Sequence, residues 1–170
     1  MPDAWPGVAV AMGSNLGDRL ANLREAIVRL ERDGWLGDLR CSDAFETPPE
    51  RPGDGEAFLN AVAVGTSDHP PRALLGGLLS IERAMGRCRE QGGSGGPRII
   101  DLDLVLYGQR VLREPGLQVP HPRMAARAFV LVPLSQVMPD AVEPVSGRPV
   151  HSLLASLPER SLPRFGSLRK

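Results

Sequence analysis

The chain has 170 residues, 42% of them hydrophobic, enough for one domain with a sizeable core and short of what two would need. Its formal net charge is zero at pH 7 and aromatics make up 4%, which excludes a general nucleic-acid or membrane-surface binder and a single-strand binder built on repeated stacking platforms. No apolar run reaches about 18 residues and no charged-then-apolar leader is evident, so the expectation is a cytoplasmic protein without membrane or nucleic-acid partners; a monomer is expected, although nothing in the residues fixes the oligomeric state.

In chain order, Val8 to Met12 reads as a short apolar strand followed by a turn. Leu16, Leu20, Leu23, Ile27 and Leu30 then recur at spacings of three and four, one apolar stripe of a helix that Asn15 or Asp18 can cap and Gly34 can end. Residues 38–47 and 56–66 read as strands joined by the Pro/Gly-rich TPPERPGDG. Leu74, Leu78, Ile81 and Met85 mark a second helix, helped by Pro70 and Pro71 and ended near Gly86. After a glycine-rich segment, PRIIDLDLVLYG is a strand bounded by Pro97 and Gly108. The order β-α-β-β-α-β predicts an α+β, ferredoxin-like domain with two helices on one face of an antiparallel sheet. Residues 109–158 add a loop and short helices around Ala125–Val137 and His151–Leu157. The whole chain, 1–170, is expected to be a single catalytic domain, its core spanning about 6–158 and its tail 159–170 loosely held.

The last strand carries two charges where burial is expected. Ile100, Leu102, Leu104 and Leu106 fall on one face, and Asp101 and Asp103 share the other. Their attachment points lie roughly 6–7 Å apart, where like charges repel by about 2–3 kcal/mol at an effective dielectric near 20. A protonated pair, neighbouring arginines or a divalent cation would offset that, and an edge strand with a solvated face would not need to.

Upstream, GRCREQGGSGGPR holds Arg87, Arg89 and Arg98 among five glycines, a composition that suits a lid, a binding loop or plain disorder beside the carboxylates. Lys170 is the only lysine, so the abundance of arginine reads as codon bias and single arginines are weak signals. GSNLG lacks the spacing and lysine of a phosphate-binding loop and reads as a structural turn. His121 sits between two prolines in VPHP. Phe58 and Asn60 share one side of a strand, a pairing suited to stacking on a flat ring while hydrogen-bonding its edge. Cys41 and Cys88 form no zinc-type or disulfide-type spacing.

Taken together, GSNLGDR, ETPP, FLNAV, IERAMGR, GPRIIDLDLVLYG and VPHPRMAARAFVLVPL, between Val8 and Asp140, resemble the 6-hydroxymethyl-7,8-dihydropterin pyrophosphokinase family of folate-pathway enzymes. The resemblance implies a ferredoxin-like fold and transfer of the terminal diphosphate of ATP, as co-substrate, to the pterin's hydroxymethyl group, releasing AMP. It implies that Asp101 and Asp103 hold two Mg²⁺ ions. Glu82, Arg87, Arg89, Arg98 and His121 would contact ATP or its developing charge, with Arg87 and Arg98 on the transferred group. Thr47 and Pro48 would offer a backbone edge to the pterin, Asn60 would hydrogen-bond it, and Phe58 and Phe129 would stack on its two faces; Arg127 looks like a further site arginine. Two positions depart from members of the family: Gly95 stands where some have tryptophan, and Leu79 where some have glutamine. A catalytically silent pterin or nucleotide binder, an RNA-binding ferredoxin-like domain and a kinase moving a single phosphate are the competing readings. The RNA reading lacks the strand aromatics and basic face it needs.

Overall fold

The structure, a computed structural model, describes residues 7–49, 51–53, 55–86 and 97–169. The first apolar run becomes strand β1 (Val8–Ser14), buried on both faces, and helix α1 (Arg19–Arg32) follows. Asp18 is its N-cap, accepting the Ala21 N–H at 3.0 Å. Leu16, expected to open the apolar stripe, instead lies before the helix and is exposed. Leu23, Ala26 and Leu30 carry the buried face.

The stretch 38–47 is two strands, β2 (Gly37–Cys41) and β3 (Ala44–Thr47), both paired antiparallel with β4 (Phe58–Thr66). Cys41 faces Ala63 and Phe45 faces Asn60, so four steps on one side answer three on the other. At this irregularity the buried Ser42 hydroxyl accepts the Val62 N–H at 2.9 Å, doing a backbone carbonyl's work in the ladder. The extra residue turns the rest of β3 over: Cys41 and Ala44 pack with the main core, while Phe45 and Thr47 point to the other side of the sheet.

Helix α2 (Pro71–Ala84) has proline at its first position, where no N–H is needed, and buries Leu74, Leu78 and Ile81. Strand β5 (Asp101–Tyr107) pairs with β1, giving the antiparallel β5-β1-β4 centre with β2 and β3 beside β4. Two helices thus cover one face of the sheet through a core that includes Val10, Met12, Leu59, Leu78, Leu102 and Leu104.

Leu106 does not join Ile100, Leu102 and Leu104. Val10 faces Leu104 and Ala9 faces Leu106, so Val105 is the extra residue of a bulge, and both Val105 and Leu106 belong to a second core on the opposite face. The hairpin β6 (Leu112–Glu114) and β7 (Leu117–Val119), a 3₁₀ turn at Met124–Ala126 and helix α3 (Ala128–Val137) come next. Then follow a small hairpin, β8 (Val142–Glu143) and β9 (Arg148–Pro149), and helix α4 (Val150–Ala155). Val130, Leu131 and Leu134 of α3 and Val150 and Leu153 of α4 close the second core over Ala9, Val62 and Val64.

Between 164 and 168 the tail is not loosely held. Strand β10 (Arg164–Gly166) adds to the free edge of β3, Leu168 is buried in the main core, and Arg24 donates to the Ser167 carbonyl at 2.9 Å. Its anchor is polar: Arg164 pairs with Asp43 at 2.9 Å across 121 residues of chain.

Candidate active site

Opposed residues on neighbouring strands point to the same side of a sheet, so register alone defines rows across the face that α3 and α4 partly cover. One row runs Phe45, Asn60, Gly13, Asp101, and the next runs Val62, Ala11, Asp103. Thr47 faces Phe58 at the end of the sheet. Two groups of residues far apart in sequence therefore share a floor, with only Gly13 between Asn60 and Asp101. A Cβ at position 13 would stand 3.5 Å from both Asn60 Oδ1 and Phe58 Cδ1, so a larger side chain would lie across that floor.

Asn60 is 7% exposed and donates its Nδ2–H to Thr47 Oγ1 at 2.7 Å, which fixes the amide's orientation. Phe58 and Thr47 are half-buried and Pro48 is exposed at the start of the following loop. Phe129, at the start of α3, packs at the margin of the second core, and the Arg127 guanidinium lies 5.1 Å from its ring centroid. Asp101 and Asp103 are both half-buried. Arg98 Nη1 lies 2.9 Å from Asp101 Oδ2, so part of the repulsion expected between the carboxylates is offset by a guanidinium.

Glu82 is buried in α2, and its Oε2 accepts the Leu102 N–H at 2.7 Å. That bond seizes the backbone of β5 between the two aspartates and holds the strand that carries them. His121 arrives from the β6–β7 hairpin, its N–H donating to the Val105 carbonyl at 2.9 Å. Its Nδ1 accepts the Arg123 N–H at 3.1 Å. Burial holds the imidazole below its usual pKa, Arg127 and Arg123 push it the same way, and Asp101 opposes them. With Nδ1 accepting the Arg123 N–H, the neutral ring carries its proton on Nε2, a hydrogen-bond donor. Arg87 and Arg89 lie outside the described residues, as do Gly95 and Cys88.

The sequence offers Asn15 only as a possible cap of α1, a place that Asp18 takes instead. Asn15 is 1% exposed, its Oδ1 accepts the Arg98 N–H at 2.7 Å and its Nδ2 donates to the Glu56 carbonyl at 3.3 Å. The same residue's N–H reaches the Arg98 carbonyl at 3.0 Å. Asn15 thus joins the approach to β4 to the approach to β5, and the turn GSNLG is where the two halves of the site are tied. An asparagine directly after a buried strand was the available signal; its partners, 41 and 83 residues away, were not.

Among the described residues no group of three or more His, Cys, Asp and Glu side chains could hold a metal by itself. Two half-buried carboxylates facing one way are a partial oxygen donor set, the kind that takes Mg²⁺ with substrate phosphates supplying further ligands. A cleft of about 350 Å³ opens at the other end of the sheet, lined by Gly7, Arg40, Gly108 and Asp140 among others, and none of the residues above lines it.

Comparison with known proteins bears on this site. Residues 9–139 match the family described as 7,8-dihydro-6-hydroxymethylpterin-pyrophosphokinase (HPPK). The chain belongs to this family. A Pseudomonas aeruginosa 2-amino-4-hydroxy-6-hydroxymethyldihydropteridine pyrophosphokinase is 38% identical over 93% of this chain and 96% of its own length. The Synechocystis protein of the same name is 39% identical over 90% of this chain and 77% of that one. The mitochondrial folate synthesis bifunctional protein of Arabidopsis thaliana is 40% identical over 86% of this chain, which covers 26% of that longer protein. A crystal structure of wild-type Plasmodium falciparum HPPK-DHPS superposes with a TM-score of 0.67 over 90% of this chain and 45% of that one. At 14% identity that likeness speaks for the ferredoxin-like fold alone. The chain is an ATP-dependent diphosphokinase, and no helix among its described residues is long and apolar enough to cross a membrane.

Proposed function

We propose that the protein transfers the terminal diphosphate of ATP to the hydroxymethyl group of 6-hydroxymethyl-7,8-dihydropterin, giving AMP and the pterin diphosphate, with Asp101 and Asp103 holding two Mg²⁺ ions. The observation that carries this is the sheet register: Asn60 and Asp101 both oppose Gly13, so a flat ring on Asn60 and a cation on the carboxylates are neighbours on one surface. When bound, magnesium supplies charge compensation for the polyphosphate and for the attacking hydroxyl.

The rest of the work belongs to the chain. Asn60, its amide oriented by Thr47, hydrogen-bonds the edge of the pterin, and the backbone at Thr47 and Pro48 extends that edge. Phe58 and Phe129 stack on the ring's faces and exclude water from it. His121 donates from Nε2 to ATP, and Arg98 stands beside Asp101 where negative charge gathers as the bridging oxygen departs. Arg87 and Arg89, by their match to the family's motif, add positive charge to the same polyphosphate, and Glu82 steadies β5 on the nucleotide side. Binding both reactants in line converts the encounter into an effectively unimolecular step, which positioning and electrostatics suffice to drive.

The test is to incubate the protein with ATP, Mg²⁺ and the dihydropterin and to separate the nucleotides. AMP and a diphosphorylated pterin are the expected products. ADP and a monophosphorylated pterin would replace this reading with single-phosphate transfer.

A further inference from the structure

We infer that Arg19, at the first position of α1, is a positioning residue for the pterin half of the site, and that the carboxy-terminal strand β10 holds it in place. The inference rests on the proposed pterin role of Thr47, Phe58 and Asn60. A cation in the first turn of a helix faces the positive end of the helix dipole, a place that favours acidic residues. No acidic residue occupies that turn, and Arg19 does.

Its contacts explain why. Arg19 Nη1 donates to Glu46 Oε2 at 2.9 Å and to the Ala57 carbonyl at 2.7 Å. Glu46 precedes Thr47 at the end of β3, and Ala57 precedes Phe58 at the start of β4. One guanidinium therefore closes the two stems of the loop that begins and ends with the proposed pterin-binding residues. The Arg19 side chain is 17% exposed, whereas its Glu46 partner is 40% exposed and stays open to water. The face of the guanidinium is occupied too, for its carbon lies 5.3 Å from the ring centroid of Phe165 in β10. Strand β10 is fixed beside it by the Pro163 carbonyl, which accepts the Glu46 N–H at 2.9 Å, and by pairing with β3. Phe165 is otherwise about half exposed, a large ring left at the surface whose one described ring partner is this arginine. Neither a lysine nor a neutral donor reproduces a planar group that bonds two elements by its edge and stacks by its face.

The clasp orients Thr47 and Phe58 without touching substrate, so its loss shows in pterin affinity and leaves the nucleotide alone. Equilibrium binding of 6-hydroxymethyl-7,8-dihydropterin is measured with Mg²⁺ and α,β-methylene-ATP, whose α–β bridge cannot be cleaved, for the full chain and for Arg19→Ala, Arg19→Lys, Phe165→Ala and Asn60→Ala. Arg19→Ala is expected to weaken pterin binding about tenfold, the order of one charge-assisted hydrogen bond, with affinity for the ATP analogue unchanged. Arg19→Lys regains part of the loss, because an ammonium reaches one acceptor but cannot stack; it also serves as the variant to read if Arg19→Ala does not fold. Phe165→Ala gives a smaller loss of the same kind, and none when added to Arg19→Ala. Parallel loss of pterin and nucleotide affinity overturns the inference, since a merely structural arginine would act on both. Unchanged pterin affinity in Arg19→Ala, with affinity lost in Asn60→Ala, also overturns it. Unchanged affinity in both overturns the pterin-site reading and the clasp with it.

Discussion

Asn15→Ala isolates the join between the two halves of the site. The substitution leaves the Arg98 N–H without its 2.7 Å acceptor and removes the donor that reaches the Glu56 carbonyl at 3.3 Å. A backbone donor stranded near the interior costs about 1–3 kcal/mol and the second bond about 1, giving a loss of roughly 2–4 kcal/mol. In a chain of 170 residues each kcal/mol moves the melting temperature by about 2–4 °C, so the expected fall is roughly 5–15 °C. Thermal unfolding followed by circular dichroism reads it. Turnover should fall as well at a temperature where the variant is still folded, because Arg98 and Asp101 lose their fixed approach. A melting temperature and a turnover both indistinguishable from those of the parent would refute the claim that this side chain ties β4 to β5.

Other outcomes follow from the same structure. Asp101→Ala or Asp103→Ala is expected to cut turnover by several orders of magnitude while circular dichroism stays that of the folded protein; near-normal turnover would reject their metal role. Two adjacent glycines in α2 should respond with opposite signs. A Cβ at Gly76 meets nothing within 4 Å, so Gly76→Ala should raise stability by about 0.5–1 kcal/mol in chemical denaturation. A Cβ at Gly77 would come within 2.4 Å of the Trp35 ring, so Gly77→Ala should lower it by about 1–3 kcal/mol despite the better helix former. Finally, the hydrogen bonds from Arg164 and then Gln136 hold the Asp43 carboxyl below its ordinary pKa. A depressed folded-state pKa means that its contribution is present above the unfolded value and is lost as pH falls through the folded one. Stability measured against pH should therefore drop on the acid side of about 4, less steeply in Asp43→Asn.

Much of this was legible in the residues. The β-α-β-β-α-β order could be read because apolar side chains recur at helical spacing in α1 and α2 and because β1 and β5 are short apolar runs between turn residues. The common facing of Asp101 and Asp103 follows from pleating alone, and so does that of Phe58 and Asn60. What brings the pairs together is register, and register depends on partners remote in sequence. The bulge at Ser42 places Thr47 on the face of Asn60, and its cause is a hydroxyl that stands in for a carbonyl, which no pattern of apolar residues encodes. The bulge at Val105 likewise sends Leu106 to the second core. Strand β10 escaped notice because Arg-Phe-Gly has no periodicity of its own and is pinned by an ion pair to Asp43. Asn15 reads as no more than a cap or turn residue because its hydrogen bonds lie 41 and 83 positions downstream.

A crystal structure of the protein with magnesium, α,β-methylene-ATP and the dihydropterin tests the central claim most directly. The account requires carboxylate oxygens of both Asp101 and Asp103 at about 2.0–2.1 Å from magnesium that also binds the nucleotide's phosphates. Magnesium seated away from β5, with Arg98 still the partner of Asp101, would contradict it.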